Sequence, residues 1–360
     1  MNSRGALRSA TFGAMAENAF DPVVLHAAMA RRLYRRADMT GTITLPAIPS
    51  MLDAYVEMFN HLFATLDIRQ TDDEAAQVRL MLQTELTKAF KSGPRSNIAI
   101  TFNAPLGATG LTYRIDTQRW TIEEEYERWT AIREPPYFGS EPDARVCALA
   151  AETSPPAACR ILDVGAGTGR NALALARRGH PVDAVEITAK FAEIMRDEAQ
   201  RESLDMHVVE GDVFSYVENS GRAYQLVIFS EVVPDFQTTH ELRGMFELAS
   251  TCLAPGGFLV FNSFVARDGY APDGAARELG RQFDSMMFTR DEITCAAGGM
   301  PLELVSDEPA YEYEKAHLPA AGWPPTSWFE TWAHGLDVFD LDSDDSPVEL
   351  RWLVYQKASG

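Results

Sequence analysis

Between positions 161 and 171 the chain reads Ile-Leu-Asp-Val-Gly-Ala-Gly-Thr-Gly-Arg-Asn. Three glycines at alternate positions, Gly165, Gly167 and Gly169, follow an apolar run, the pattern of a buried strand passing through a tight loop into a helix. Only glycine takes the required dihedrals without a Cβ clash. The first amides of the helix that follows have no partner within it, so such a loop can hold a polar ligand against the end of a strand. Asp163 stands two residues before the first glycine. Two more acids fall where later strands should end. Glu186 lies 21 residues after Gly165 in Ala184-Val185-Glu186-Ile187, and Asp212 closes His207-Val208-Val209-Glu210-Gly211-Asp212. A carboxylate at the end of the second strand can accept hydrogen bonds from both hydroxyls of a ribose.

Spacing narrows the ligand. A dinucleotide loop is G-x-G-x-x-G; here the third glycine comes one residue early and Arg170 fills the position a dinucleotide site gives to glycine. Asp-x-Gly-x-Gly-x-Gly resembles motif I of the class I S-adenosylmethionine (SAM) dependent methyltransferases. Taken alone, the segment leaves open an NAD-type or purely structural turn. Tyr224-Gln225-Leu226-Val227-Ile228-Phe229 reads as a central parallel strand, and Leu253-Ala254-Pro255-Gly256-Gly257 is similar to that family's turn into its fifth strand. Upstream, helix, Tyr137-Phe138-Gly139, helix is similar to the small-molecule branch typified by tellurite-resistance-type methyltransferases. The resemblance covers residues 121–265 well, the C-terminal third loosely and residues 1–120 not at all. It implies SAM as cofactor, bound by Tyr137, Asp163, Gly165, Gly167, Gly169, Asn171, Glu186, Ile187, Asp212, Val213 and Ser230, with Asp212 taking the exocyclic amine of adenine.

Methyl transfer asks mainly that nucleophile and methyl be held in line in a dry site. A base is needed only where the nucleophile arrives protonated. Glu231, in Ser230-Glu231-Val232-Val233-Pro234-Asp235-Phe236, is the candidate acceptor contact or base; a carboxylate holding a neighbouring loop is the alternative. Val233-Pro234-Asp235-Phe236 departs at its first two positions from the (Asn/Asp)-Pro-Pro-(Tyr/Phe) signature of nucleobase-amine methyltransferases. His334 is the second candidate catalytic group. It belongs to an aromatic stretch, about 307–347, with Tyr311, Tyr313, Trp323, Trp328, Phe329 and Trp332. Disordered segments are poor in aromatics. The stretch is therefore expected to be an ordered lid over the acceptor, with Tyr313, Trp328 and Trp332 as substrate contacts and core packing as the alternative.

The elements that must position these residues give an α/β fold: a Rossmann-like seven-stranded sheet with its last strand antiparallel, over residues 121–360. The sixth and seventh strands are expected at Leu302 to Val305 and Val348 to Gln356. Residues 1–120 are expected to form a mainly helical extension. Helices are read at Val23 to Arg36, at Ser50 to Leu66, and from the capping box Thr71-Asp72-Asp73-Glu74 to Gly93-Pro94. A hairpin follows around Pro105-Leu106-Gly107, and a second capping box, Thr121-Ile122-Glu123-Glu124, opens a helix with Tyr126, Trp129 and Ile132. The extension is expected to complete the acceptor pocket, to form a homodimer interface, or both.

The net charge of −20 is unevenly spread. Residues 1–140 carry 15 basic and 16 acidic side chains, residues 141–360 carry 17 and 36. An acidic catalytic half repels phosphodiesters, so no nucleic acid is expected as partner. Arg31-Arg32 and Arg35-Arg36 are read as a solvated face. No apolar run approaches the roughly 20 residues that span a bilayer, and Met1 to Asn18, with Arg4 and Arg8, has no secretory core. Cys147, Cys159, Cys252 and Cys295 are scattered and expected to be reduced, so a cytoplasmic protein without a metal is expected. Asp340, Asp342, Asp344 and Asp345 lack the Gly and Glu of an EF-hand. The leading functional reading is methylation of a small-molecule acceptor at S, N or O. The alternatives are a carbon methyltransferase on a prenyl or aromatic skeleton, a protein-methylating enzyme, and a non-catalytic SAM-binding protein.

Overall fold

The structure, a computed structural model, describes residues 21–34, 39–65, 68–93, 96–105, 111–119, 122–153 and 155–359. Arg4, Arg8, Arg35, Arg36, Pro94, Leu106, Gly107 and Thr121 lie outside the described residues. The chain divides into two compact units, Met1–Arg119 and Trp120–Gly360.

Among the described residues of the first unit, helix α1 (Pro22–Tyr34) is followed by strand β1 (Met39–Pro46), helices α2 (Leu52–Thr65) and α3 (Asp72–Ser92), and strands β2 (Asn97–Ala104) and β3 (Thr112–Gln118). The expected capping box is formed: Thr71 Oγ1 accepts the Glu74 amide and the Glu74 carboxylate accepts the Thr71 amide. Val78, Leu82, Leu86 and Ala89 then recur on one face of α3 and are buried. They meet Tyr55, Phe59 and Phe63 of α2 and Ile98, Ile100 and Phe102 of β2 in one core. Helical reading of this region missed β1. Its Thr-Gly-Thr-Ile-Thr-Leu alternates between half-buried and exposed positions and pairs antiparallel with β2, from Met39 opposite Ala104 to Pro46 opposite Asn97. The hairpin is thus part of a three-stranded sheet, and β-branched threonines at alternate positions were the available signal.

The second unit opens with helices α4 (Ile122–Ala131) and α5 (Ala144–Thr153), then alternates strand and helix: β4 (Ile161–Val164), α6 (Arg170–Arg177), β5 (Val182–Glu186), α7 (Ala189–Glu202), β6 (Met206–Glu210), α8 (Val213–Ser220), β7 (Tyr224–Phe229), α9 (Thr239–Cys252) and β8 (Leu253–Ala266). The chain continues through α10 (Gly274–Gln282), β9 (Met287–Phe288), α11 (Arg290–Ala297), β10 (Leu302–Pro309), α12 (Ala310–His317), α13 (Phe329–Ala333) and β11 (Val348–Lys357). The sheet order is β10-β11-β8-β7-β4-β5-β6. Neighbours from β8 to β6 are parallel, whereas β11 runs antiparallel to both β8 and β10. The α/β reading and the antiparallel last strand hold. An eighth strand, unforeseen because it is two residues long, joins them: β9 pairs with Phe264 and Val265, just past the part of β8 that β7 occupies.

Strand order fixes where a ligand can bind. From β4 the chain moves outward through β5 and β6, then returns to β7 on the opposite side. The crevice outside the carboxyl end of β4 is therefore the topological switch point. Both faces of the sheet are covered. One core gathers Ile161, Leu226, Ile228, Val260 and Phe264 with Trp332 and Trp352, the other Leu162, Val227, Phe229, Leu259 and Phe261 with Phe246 and Tyr355. Adjacent residues of each strand thus enter opposite cores, which is why β4 and β7 read as continuous apolar runs. No helix among the described residues is long and apolar enough to cross a membrane.

Candidate active site

Strand β4 ends in the glycine loop. Gly165 and Ala166 donate their amides to Val185 O at 2.9 and 3.2 Å, which clamps the loop onto the end of β5. Gly165 has φ +65°, and a Cβ there would stand 2.6 Å from Val232 Cγ2. Backbone conformation and the side chain after β7 both demand glycine. Glu186 ends β5 and is buried. Its Oε2 accepts the Gly167 amide at 2.8 Å and its Oε1 the Thr188 amide at 2.8 Å. Each oxygen keeps further lone-pair capacity for a hydroxyl. Ile187, the next residue, is 57% exposed, a large apolar side chain beside the crevice. Asp212 is exposed and caps α8 through the Ser215 amide at 2.9 Å, while Val213 is buried.

Asp163 lies at the bottom of the crevice, 2% exposed, and its Oδ2 has no hydrogen-bond partner. Burial, with the charge of Asp143 nearby, raises its carboxyl to about 7. An orphaned, buried carboxylate oxygen is costly unless a donor or cation reaches it.

Six residues from four separate stretches of the chain meet beside this loop. Arg170 donates to Asp143 Oδ1 and, at 2.6 Å, to Glu231 Oε1. Asp143 Oδ2 accepts Asn171 Nδ2 at 2.7 Å and Ser230 Oγ at 2.6 Å, while the Asp143 amide donates to Asn171 Oδ1 at 2.9 Å. Glu231 has φ +59° and donates its amide to Asn262 Oδ1 at 2.7 Å. A non-glycine residue in this region is uncommon and marks a backbone held by its surroundings. Burial raises the Glu231 carboxyl, opposed by the Arg170 charge. Sequence reasoning missed Asp143, Arg170 and Asn262 as members of the site. Pro142-Asp143 before a helix, the arginine directly after the glycine loop, and a lone buried Asn in apolar β8 were the available signals.

An aromatic group closes one side. The Phe138 ring lies against Gly167 and stacks on Trp129 with centroids 5.3 Å apart. Phe191 of α7 meets Phe138 at 5.3 Å and Tyr126 at 5.1 Å, and Tyr137 lies 6.3 Å from Phe191. The middle of the segment expected as a lid comes close to this group: a Cβ at Gly139 would stand 2.5 Å from Pro325 O. Much of it is core. Trp332 is buried against Phe264 at 5.2 Å, its Nε1 donating to Asp284 O at 3.0 Å, and Trp328 packs edge-on against Trp332. Tyr313 stacks on His317 with Arg145 over its ring. His334 lies 4.3 Å from Tyr311, its Nδ1 at 2.7 Å from Glu330 O. These contacts seat Trp332 in the core against β8 and hold His334 within the aromatic segment. Among the described residues, no His, Cys, Asp and Glu cluster is arranged to hold a metal.

Residues 161–257 match the family described as Methyltransferase domain. No curated protein matches the chain. Among solved structures, similarity extends to a Galdieria sulphuraria protein assigned as a sarcosine dimethylglycine methyltransferase (16% identity, 60% of this chain and 85% of that one, TM-score 0.46). It extends also to geranyl diphosphate C-methyltransferase from Streptomyces coelicolor (14%, 60% and 76%, 0.46) and the [4+2]-cyclase SpnF (16%, 61% and 81%, 0.42). The matched domain runs from the first residue of β4 into the glycine turn of β8, the stretch that carries the switch point and the acids around it. Its glycine cradle, the Glu186 carboxylate oriented by two backbone amides and the orphaned Asp163 oxygen suit a cofactor that is part nucleoside and part cation. The chain carries a methyltransferase domain at residues 161–257, the stretch whose glycine loop and strand-end acids resemble those of the class I S-adenosylmethionine-dependent methyltransferases.

Proposed function

We propose that the protein methylates a small-molecule acceptor whose nucleophile arrives with a free lone pair, an amine or a thioether. The observation that carries this is the Arg170–Glu231 ion pair: the one carboxylate at the end of β7 is already held by a buried guanidinium. Such a carboxylate orients and balances charge better than it removes a proton.

In this reading Glu186 takes the ribose hydroxyls, Ile187 and Val213 flank the adenine, and Asp212 takes its amine. Asp163 and the glycine-loop amides face the methionine end, with Asn171, Ser230 and Tyr137 around it. SAM supplies an electrophilic methyl on a sulfonium. Beyond that, this chain's residues bind, align and exclude water. The acids Asp163, Glu186, Asp143 and Glu231 balance the cationic centre against one arginine. Trp328, Tyr313 and His334 are proposed to face the acceptor from the aromatic segment. For residues 1–119 we propose a part in acceptor binding or self-association; a truncation lacking them that keeps turnover and oligomeric mass would sink both.

The test is production of S-adenosylhomocysteine from SAM with panels of amines, thioethers, alcohols and activated carbon acids, on wild type and Glu231→Gln. Turnover of amines or thioethers that survives within about tenfold in Glu231→Gln supports the reading. Turnover confined to alcohols or carbon acids and lost in Glu231→Gln overturns it in favour of a carbon or oxygen methyltransferase with Glu231 as base. No product with any acceptor, despite SAM binding, would favour the non-catalytic SAM-binding reading.

A further inference from the structure

Helix α5 begins at Ala144, and Asp143 occupies the residue before it, its carbonyl accepting the Cys147 amide at 3.0 Å. An aspartate there is among the preferred N-caps: its side chain would ordinarily turn back and accept one of the helix's unpaired amides. It does not. Both Asp143 carboxylate oxygens point away, to Arg170, Asn171 and Ser230.

The amides are satisfied from elsewhere in the chain. Glu314 of α12 is 2% exposed; its Oε2 accepts the Ala144 amide at 2.7 Å and its Oε1 the Arg145 amide at 3.2 Å. The same Oε1 accepts Trp352 Nε1 from β11 at 3.0 Å. A carboxylate at a helix N-terminus is favoured by the helix dipole as well as by the two amides, which offsets part of the cost of burying it. Placing it this deep is otherwise unfavourable, since burial and the Asp143 charge raise its carboxyl to about 7.

We propose that Glu314 is a positioning residue: by capping α5 from outside, it leaves the Asp143 carboxylate free to hold Arg170, Asn171 and Ser230 at the cofactor site. The inference rests on the reading that this cluster borders bound SAM. Asp143 has two competing employments, as cap of its own helix or as the hub of the site. Glu314 removes the first. The segment between β10 and β11 thereby sets the state of the glycine-loop side of the site through one carboxylate.

The experiment is a double-mutant cycle on the full chain with two readouts, SAM dissociation constant by calorimetry and melting temperature. Asp143→Ala is expected to weaken SAM at least tenfold. Glu314→Ala should weaken it at least fivefold with a small loss in melting temperature, because Asp143 turns round to cap α5. The double variant should bind SAM no worse than Asp143→Ala alone, yet lose more melting temperature than the two single losses together, because α5 then has no cap at all. A merely structural Glu314 would instead lose affinity in proportion to stability. Wild-type affinity in Glu314→Ala, beside a weakened Asp143→Ala, overturns the relay. So does a double variant weaker than Asp143→Ala by the full Glu314→Ala factor. Wild-type affinity in Asp143→Ala would overturn the relay together with the reading of the cluster as part of the SAM site. Should Glu314→Ala fail to fold, Glu314→Gln, which keeps one amide-accepting oxygen, runs the same cycle with a smaller effect of the same form.

Discussion

Arg170 and Glu231 lie 61 residues apart in the chain and meet at 2.6 Å, with both side chains largely withdrawn from solvent. Arg170 also holds Asp143, so two carboxylates share one guanidinium. Removing the hub should therefore cost more than removing one spoke. Arg170→Ala leaves two buried carboxylates without their cation and is expected to cost about 3–5 kcal/mol. Glu231→Ala leaves Arg170 still paired to Asp143 and should cost roughly half as much or less. Urea unfolding of both variants measures the difference; equal losses would show that the Arg170–Asp143 pair adds nothing to stability.

Glu186 joins the ribose reading to the loop. Its substitution by alanine removes an acceptor from SAM and also releases the Gly167 and Thr188 amides. A hydrogen bond to a charged group is worth roughly 1.5–3 kcal/mol, so SAM affinity should fall by on the order of 10- to 100-fold. Calorimetric titration of wild type and Glu186→Ala decides; undiminished binding would place the ribose elsewhere.

Asp163 predicts a pH dependence. Its carboxyl is raised to about 7 in the fold and is near 4 when unfolded. The folded state then keeps a proton that the unfolded state has lost, so this contribution to stability is present in full below about pH 4 and is lost as pH rises to about 7. Glu314, also raised to about 7, acts in the same window and with the same sign. A cationic ligand favours ionised Asp163, so SAM affinity should rise across roughly pH 6 to 8 with release of a proton. Titrations at pH 7 in two buffers of different ionisation enthalpy measure that proton. Identical heats in both buffers would rule out the coupling.

Gly165 separates two kinds of strain. Gly165→Ala forces a Cβ to 2.6 Å from Val232 Cγ2 and also pays for φ +65°. A loss of about 2–4 kcal/mol is expected. Adding Val232→Ala should recover the steric part but leave about 1 kcal/mol of backbone cost. Thermal or urea unfolding of the two single variants and the double follows the recovery. No recovery would locate the whole penalty in the backbone.

The one-dimensional chain determined the catalytic half of this protein to a large extent. Glycines at alternate positions, acids at strand ends and continuous apolar runs are local signals, because each reflects what one strand or one turn needs. They place β4 to β8, the glycine loop and the acids Asp163, Glu186 and Asp212 without reference to any tertiary contact. Strand β1 stayed hidden because a short, threonine-rich edge strand carries little apolar signal of its own and takes its identity from pairing with β2. Only the tertiary structure decided the roles of Asp143, Arg170, Glu231 and Glu314. Their types promise charge and hydrogen bonding, but their partners lie 27, 61 and 170 residues away. A carboxylate becomes a base, a counter-ion or a helix cap according to what folding brings beside it. Nothing in the local sequence of Glu314 says that it caps a helix whose own aspartate is turned toward the site.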